Sequence, residues 1–157
     1  MLQPGSFAFR PSEALPYMTL DSLGWTTDAE AGYGNDCRVR SDKGHVIFQY
    51  TLSGEGRVDT DGQTWEVPVG SGFLVRVPSE QRYYYPPEGT QPWAFIWLNA
   101  CGEDVLRMWD RIVEKQGPVV RLSAESQPLA LFWEMYRAVS VDRLSDPAEL
   151  SVLLYRW

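Results

Sequence analysis

From His45 onward the chain alternates short apolar runs with turn signals. Residues 45–77, HVIFQYTLSGEGRVDTDGQTWEVPVGSGFLVRV, are rich in β-branched and aromatic side chains and are cut at short intervals by Gly, Pro and Asp, which predicts short antiparallel strands. Asp61-Gly62, between RVDT and QTWEV, predicts a tight hairpin, because both central positions of a type I′ turn need positive φ. Gly70 and Gly72 allow a corner before the strand FLVRV, and QPWAFIWLNA predicts a last buried strand. A series of such strands favours a sandwich or barrel over an open sheet. Residues 1–44 carry scattered Gly, Pro and polar side chains with short apolar pieces such as YMTL. They predict an arm and loops with one or two early strands.

After Ala100 the apolar period changes from two to about 3.6. In EDVLRMWDRIVEKQGP, Val105, Leu106, Trp109, Ile112 and Val113 fall on one helical face, and Gly117-Pro118 supplies the stop. PVVRL reads as a brief extended link. Ser123 or Ser126 caps a second helix whose apolar stripe is Leu129, Phe132, Trp133, Tyr136 and Val139. Asp146-Pro147-Ala148-Glu149 is a helix start, with a capping carboxylate, proline in the first turn and an acid three residues on. This third helix runs into LSVLLYRW without glycine or polar tail, so further sequence is expected beyond it. The organisation expected is one structural domain with an arm and early strands over 1–44, a β-barrel core over 45–100 and a helical region over 101–157.

The chain has 157 residues, enough for one packed domain, and a formal net charge of −7. That charge gives no overall attraction to a phosphate backbone, so the chain is not expected to grip DNA by itself. No apolar run approaches the roughly 20 residues of a membrane span, and the first residues lack the basic and apolar regions of a signal peptide. A cytoplasmic location is the expectation. Cys37 and Cys101 are too few for a disulfide framework and stand in no C-x-x-C pair. No G-x-S-x-G elbow, phosphate loop or G-x-G-x-x-G helix start occurs.

The order of parts resembles the N-terminal sensing domain of AraC-type transcription regulators, a branch of the cupin superfamily. The likeness rests on G-x-G and the hairpin over Gly54 to Gly62, G-x5-P at Gly72 to Pro78 and P-W-x3-W at Pro92 to Trp97. It implies a mainly β fold, a cupin-like double-stranded β-helix or jelly-roll barrel with two or three C-terminal α-helices. It also implies a small-molecule effector, often a sugar, held in the barrel. A homodimer through the terminal helices is implied too, and DNA contact only through a helix-turn-helix domain outside this chain. Metal-binding cupins use several histidines, whereas this chain has one, His45. Glu80 replaces the glycine after G-x5-P, and Gln81, Arg82 and Tyr83 occupy the histidine region. No metal and no cofactor are therefore expected.

By the resemblance Trp97 matches the tryptophan on which the sugar ring stacks, and Arg40, or Arg38 if the loop aligns differently, matches an arginine that bonds the sugar. Tyr84, or Tyr83 one residue away, matches a pocket tyrosine. Strand alternation puts Trp93, Phe95 and Trp97 on one face; Phe95 stands where the family is more polar, and Arg82 would suit an acidic sugar or another carboxylate. The arm around Phe7 to Tyr17 is expected to close over the ligand. Leu150, Leu153, Leu154 and Trp157 are the residues expected to meet a symmetry mate. Two alternatives stand beside the sensor. One is a metal-independent cupin enzyme, such as a sugar isomerase or epimerase, using His45 with Glu66 or Tyr84. The other is a carbohydrate-binding module.

Overall fold

A computed structural model describes residues 1–9, 17–41 and 44–157. Its strands are β1 (Gly5–Ala8), β2 (Thr19–Ala29), β3 (Gly34–Asp36), β4 (His45–Ser53), β5 (Glu55–Thr60), β6 (Gln63–Pro68), β7 (Ser71–Val77), β8 (Arg82–Tyr84), β9 (Trp93–Cys101) and β10 (Val119–Arg121). Three helices follow the barrel strands: α1 (Glu103–Gln116), α2 (Gln127–Ser140) and α3 (Pro147–Arg156). The strands make a six-stranded sheet ordered β1-β2-β9-β4-β7-β10 and a four-stranded sheet ordered β3-β8-β5-β6. All the pairings are antiparallel.

Two apolar clusters follow from the alternation of side chains along each strand. On β4, Val46, Phe48 and Tyr50 join the cluster that packs against the helices, while Ile47 joins the one between the sheets. On β9, Ile96, Leu98 and Ala100 face the helices and Trp93 and Phe95 face the barrel interior. The interior cluster also takes Val58, Val67 and Tyr83 from the smaller sheet. The predicted hairpin forms at Asp61 and Gly62, both with positive φ, 52° and 74°. The extended link becomes β10, an edge strand on β7.

The helices close the outer face of the larger sheet. Val105 and Trp109 of α1 are buried, as are Leu129, Phe132, Tyr136 and Val139 of α2. Asp146 caps α3 by accepting from the backbone N–H groups of Ala148 and Glu149, but Ser126 at the start of α2 makes no side-chain cap bond. Tyr136 also reaches the first strand: its hydroxyl donates to Gln3 O at 2.7 Å and to Gly5 O at 3.3 Å, and its ring meets Phe7 edge-on. Leu150 and Leu154 are 1% and 2% exposed, and Leu153 and Trp157 pack against the same cluster. These four residues, expected at a dimer surface, pack on their own barrel, Leu150 and Leu154 fully and Leu153 and Trp157 in part, with α3 against β2; the large apolar side chains that α3 leaves exposed are Val152 and Tyr155.

Residues 1–44 contribute more sheet than their composition predicts. β2 has 11 residues, the longest strand described, between β1 and β9. A register shift between Leu20 and Ser22 puts Asp21 in a bulge of this strand. There its Oδ1 lies 3.4 Å from His45 Nε2, and His45 itself pairs across the ladder with Cys101.

Two expectations follow. Gly56 lies against the Trp93 ring, where an added Cβ would fall 2.1 Å from Cζ2; Trp93 is fully buried with its indole N–H donated to Thr51 Oγ1 at 2.9 Å. Gly56→Ala should cost roughly 1–3 kcal/mol in urea unfolding, and an unchanged midpoint would mean that the ring is not so confined. The second concerns pH. The hydrogen bond to Asp21, then that to Cys101, raise the pKa of His45 from 6.5 to about 10 against the opposing effect of burial. A group raised on folding stabilises fully below its unfolded pKa and loses that contribution as pH climbs through the folded one. Wild type should therefore lose stability relative to His45→Gln between pH 6.5 and 10. Parallel curves for the two proteins would refute this account of the pair.

Candidate functional site

The inner face of the larger sheet, with β3, β8 and the turn after β3, encloses a cavity of about 250 Å³ lined by Tyr33, Asn35, Arg40, Gln49, Tyr83 and Trp97, among others. Register explains the composition. Gln49 on β4 stands opposite Trp97 on β9, and Ile47 opposite Asn99; the same alternation brings Phe95 and, from β2, Thr26 into the wall. Ser6 of β1 also lines it. No Asp, Glu, His or Cys belongs to this lining among the described residues.

Trp97 owes its position to a glycine. A Cβ on Gly24 would fall 2.5 Å from Cζ2, 2.6 Å from Cε2 and 2.8 Å from Nε1 of the indole, so the ring rests on bare backbone of the neighbouring strand. Any side chain at Gly24 would push the ring away. Arg40 follows the turn at the end of β3 and donates from Nη1 to the Tyr83 hydroxyl at 2.7 Å and to Asn35 Oδ1 at 3.4 Å. Tyr33 donates to Gln49 Oε1 at 3.4 Å. Burial pushes the pKa of Tyr33 up to about 12, with the Gln49 bond and the charge of Arg40 pulling it down. Further along the wall Asn99 Nδ2 donates to Ser22 Oγ at 3.0 Å, and Ser22 Oγ donates to Asp21 Oδ2 at 2.9 Å. Polar contacts thus run from the cavity to the carboxylate that faces His45.

Of the residues singled out in the sequence, the structure brings Arg40, Tyr83, Phe95 and Trp97 to the cavity. It does not bring Tyr84, Arg82, Arg38 or Trp93. Tyr83 pairs with Val58 across β5 and shares its inward face, which sends Tyr84 and Arg82 outward with Arg57 and Asp59. There Tyr84 and Arg82 both donate to Asp59, and the Arg82 guanidinium lies 4.6 Å from the Tyr84 ring centre. Burial pushes the Asp59 carboxyl up, but bonds from Thr64, Arg82 and Tyr84 hold it below the usual carboxylate range. Arg38 is engaged by Asp36, whose pKa that pairing lowers to about 2. Trp93 is shut into the core beneath Gly56.

Gln81, in the corner where a metal-binding cupin would carry histidine, accepts from Arg76 N and donates to Thr60 Oγ1. It braces the corner. The acid/base set His45, Glu66 and Tyr84 is not assembled: His45 pairs with Asp21, Glu66 lies near Arg57 and Tyr84 bonds Asp59. Among the described residues no group of three or more His, Cys, Asp and Glu side chains could hold a metal ion, and no helix is long and apolar enough to cross a membrane. Part of the arm from Phe7 to Tyr17, residues 10–16, lies outside the described residues.

Sequence reasoning passed over Ser6, Thr26, Tyr33, Asn35, Gln49 and Asn99. For Gln49 and Asn99 a signal existed: each is a polar interruption of an apolar strand, in phase with the inward positions of HVIFQYTL and AFIWLNA.

Comparison with known proteins gives distant structural matches and one family model. Among solved structures, YhaK from Escherichia coli has 18% identity and a TM-score of 0.48, over 64% of this chain and 45% of that one. The cupin domain of Cnp3 from Schizosaccharomyces pombe has 14% identity and a TM-score of 0.42, over 69% of each chain. A cupin 2 conserved barrel domain protein from Salinispora arenicola has 11% identity and a TM-score of 0.42, over 69% of this chain and 82% of that one. This chain thus spans under half the length of YhaK. No curated protein sequence matches significantly. The model of the AraC-like ligand binding domain matches residues 29–157, a span that holds β3 to β10, all three helices and most of the cavity wall, and the chain belongs to that family.

Proposed function

We propose that this domain senses a small polar ring compound, a saccharide, and that it does so without a metal and without chemical turnover. The observation that carries this reading is the meeting of Trp97, Arg40 and Tyr83 on one cavity of about 250 Å³. A sugar ring needs an aromatic face for its C–H surface and planar polar groups for its hydroxyls. Trp97 offers the first; Arg40, Asn35, Gln49 and Tyr83 offer the second. The volume suits one ring rather than a chain of them. In this reading a second copy of the chain packs on the outer side of the helices, where Met108 and Val152 are exposed. DNA is reached only through a helix-turn-helix domain outside the chain, as in the regulators that the sequence resembles.

The test is a thermal-shift series with monosaccharides, disaccharides, sugar acids and aromatic acids. A ligand that binds only the native state raises the melting temperature by mass action, about 5–10 °C at a hundred times its Kd for a domain of this size. One monosaccharide class should produce a saturable rise that persists in EDTA. Trp97→Ala and Arg40→Ala should each abolish or sharply reduce it. Gly24→Ala should weaken the response as well, by displacing the indole, while the variant remains folded. A response confined to aromatic acids, or one unaffected by Trp97→Ala, would overturn the saccharide assignment.

A further inference from the structure

One side chain in the cavity wall has incomplete hydrogen bonding. Gln49 lies at the centre of β4, between Trp97 on β9 and Phe73 on β7, and it is 2% exposed. Its Oε1 accepts from the Tyr33 hydroxyl, while its Nε2 has no partner among the described residues. In this bond the Tyr33 hydroxyl is the donor, which leaves the amide's own two N–H groups to bond elsewhere. An N–H left unmade in an apolar interior is costly, and an apolar side chain of similar size would avoid the cost. The surroundings, Ile47, Phe73 and Phe95, are already apolar. An amide kept at this place is explained if its partner enters through the cavity.

We propose that Gln49 is the specificity-determining donor of the site: its Nε2 hydrogen-bonds an acceptor oxygen at the edge of the ring that lies on Trp97. The inference rests on the saccharide reading above and narrows it. A pocket built around a donor rejects an analogue lacking the matching oxygen, because the buried amide is then left unpaired. Selection falls on one ring position, through a hydroxyl of a neutral sugar or a carboxylate of a sugar acid.

The experiment is calorimetric titration of wild type, Gln49→Leu and Gln49→Glu with D-glucose, D-galactose, D-xylose, D-glucuronate and D-galacturonate, followed by the monodeoxy analogues of whichever binds. Wild type should lose about tenfold or more in affinity for one deoxy analogue. Gln49→Leu should bind the parent sugar more weakly by a similar factor and bind that analogue as wild type does, so that the discrimination disappears. Gln49→Glu, which accepts but does not donate once its carboxyl is ionised, should fail with the parent sugar in the same way at alkaline pH. Without ligand, Gln49→Leu should melt within about 2 °C of wild type or above it. Retained discrimination in Gln49→Leu would overturn the proposal. A ligand-free melting point lowered by more than about 5 °C would overturn it too, by making the amide a structural group. A wild type that binds none of the sugars overturns the saccharide reading, and this proposal with it; binding that ignores Gln49 overturns the proposal alone.

Discussion

The structure depends on the pairing of β4 with β9 at the centre of the larger sheet, and on the fact that each strand presents unlike chemistry to its two sides. One set of alternate residues, Val46, Phe48 and Tyr50 with Ile96, Leu98 and Ala100, seals the sheet to the helices. The other set, Ile47 and Gln49 with Phe95, Trp97 and Asn99, forms the cavity wall. A slip of one residue in register would exchange the two sets, putting Gln49 and Asn99 under the helices and an apolar wall around the ligand. Stability and recognition are therefore set by the same backbone hydrogen bonds.

Much of this was legible in the sequence where the local signal and the tertiary demand agree. The turn at Asp61-Gly62 requires residues that tolerate positive φ, and the helices carry apolar stripes that the sheet covers. β2 was harder to see because its inward residues Ser22, Gly24 and Thr26 answer to the cavity and to the Trp97 ring rather than to an apolar core. Polar and glycine positions read as loop when the group they serve is distant in sequence. The choice between Tyr83 and Tyr84 depended on pairing with Val58, which no pattern within RYYY contains. The apolar run in α3 was visible, but the packing of Leu150 and Leu154 on the barrel follows from docking on β2, a contact that the run itself does not contain.

Charged side chains are paired away from the cavity. Arg82 and Tyr84 are engaged by Asp59, Arg38 by Asp36 and Arg76 by Asp110, all on the outside. Exposed pairs of this kind add little stability. Among the described residues, what faces inward beside Ile47 and Phe95 is amide, hydroxyl, indole and the Arg40 guanidinium, groups that recognise shape and hydrogen-bond pattern more than net charge.

β1 is four residues long and contributes to both of these environments. Its alternation gives Ser6 to the cavity and Phe7 to the helices, while the Tyr136 hydroxyl holds the carbonyls of Gln3 and Gly5. The strand is thus common to two compartments: withdrawing it would take Ser6 from the cavity wall and the acceptors from the Tyr136 hydroxyl together. Cavity and helix bundle share one short piece of chain, so a ligand that bound better with β1 in place would also favour its contacts with Tyr136, and by reciprocity those contacts would favour the ligand.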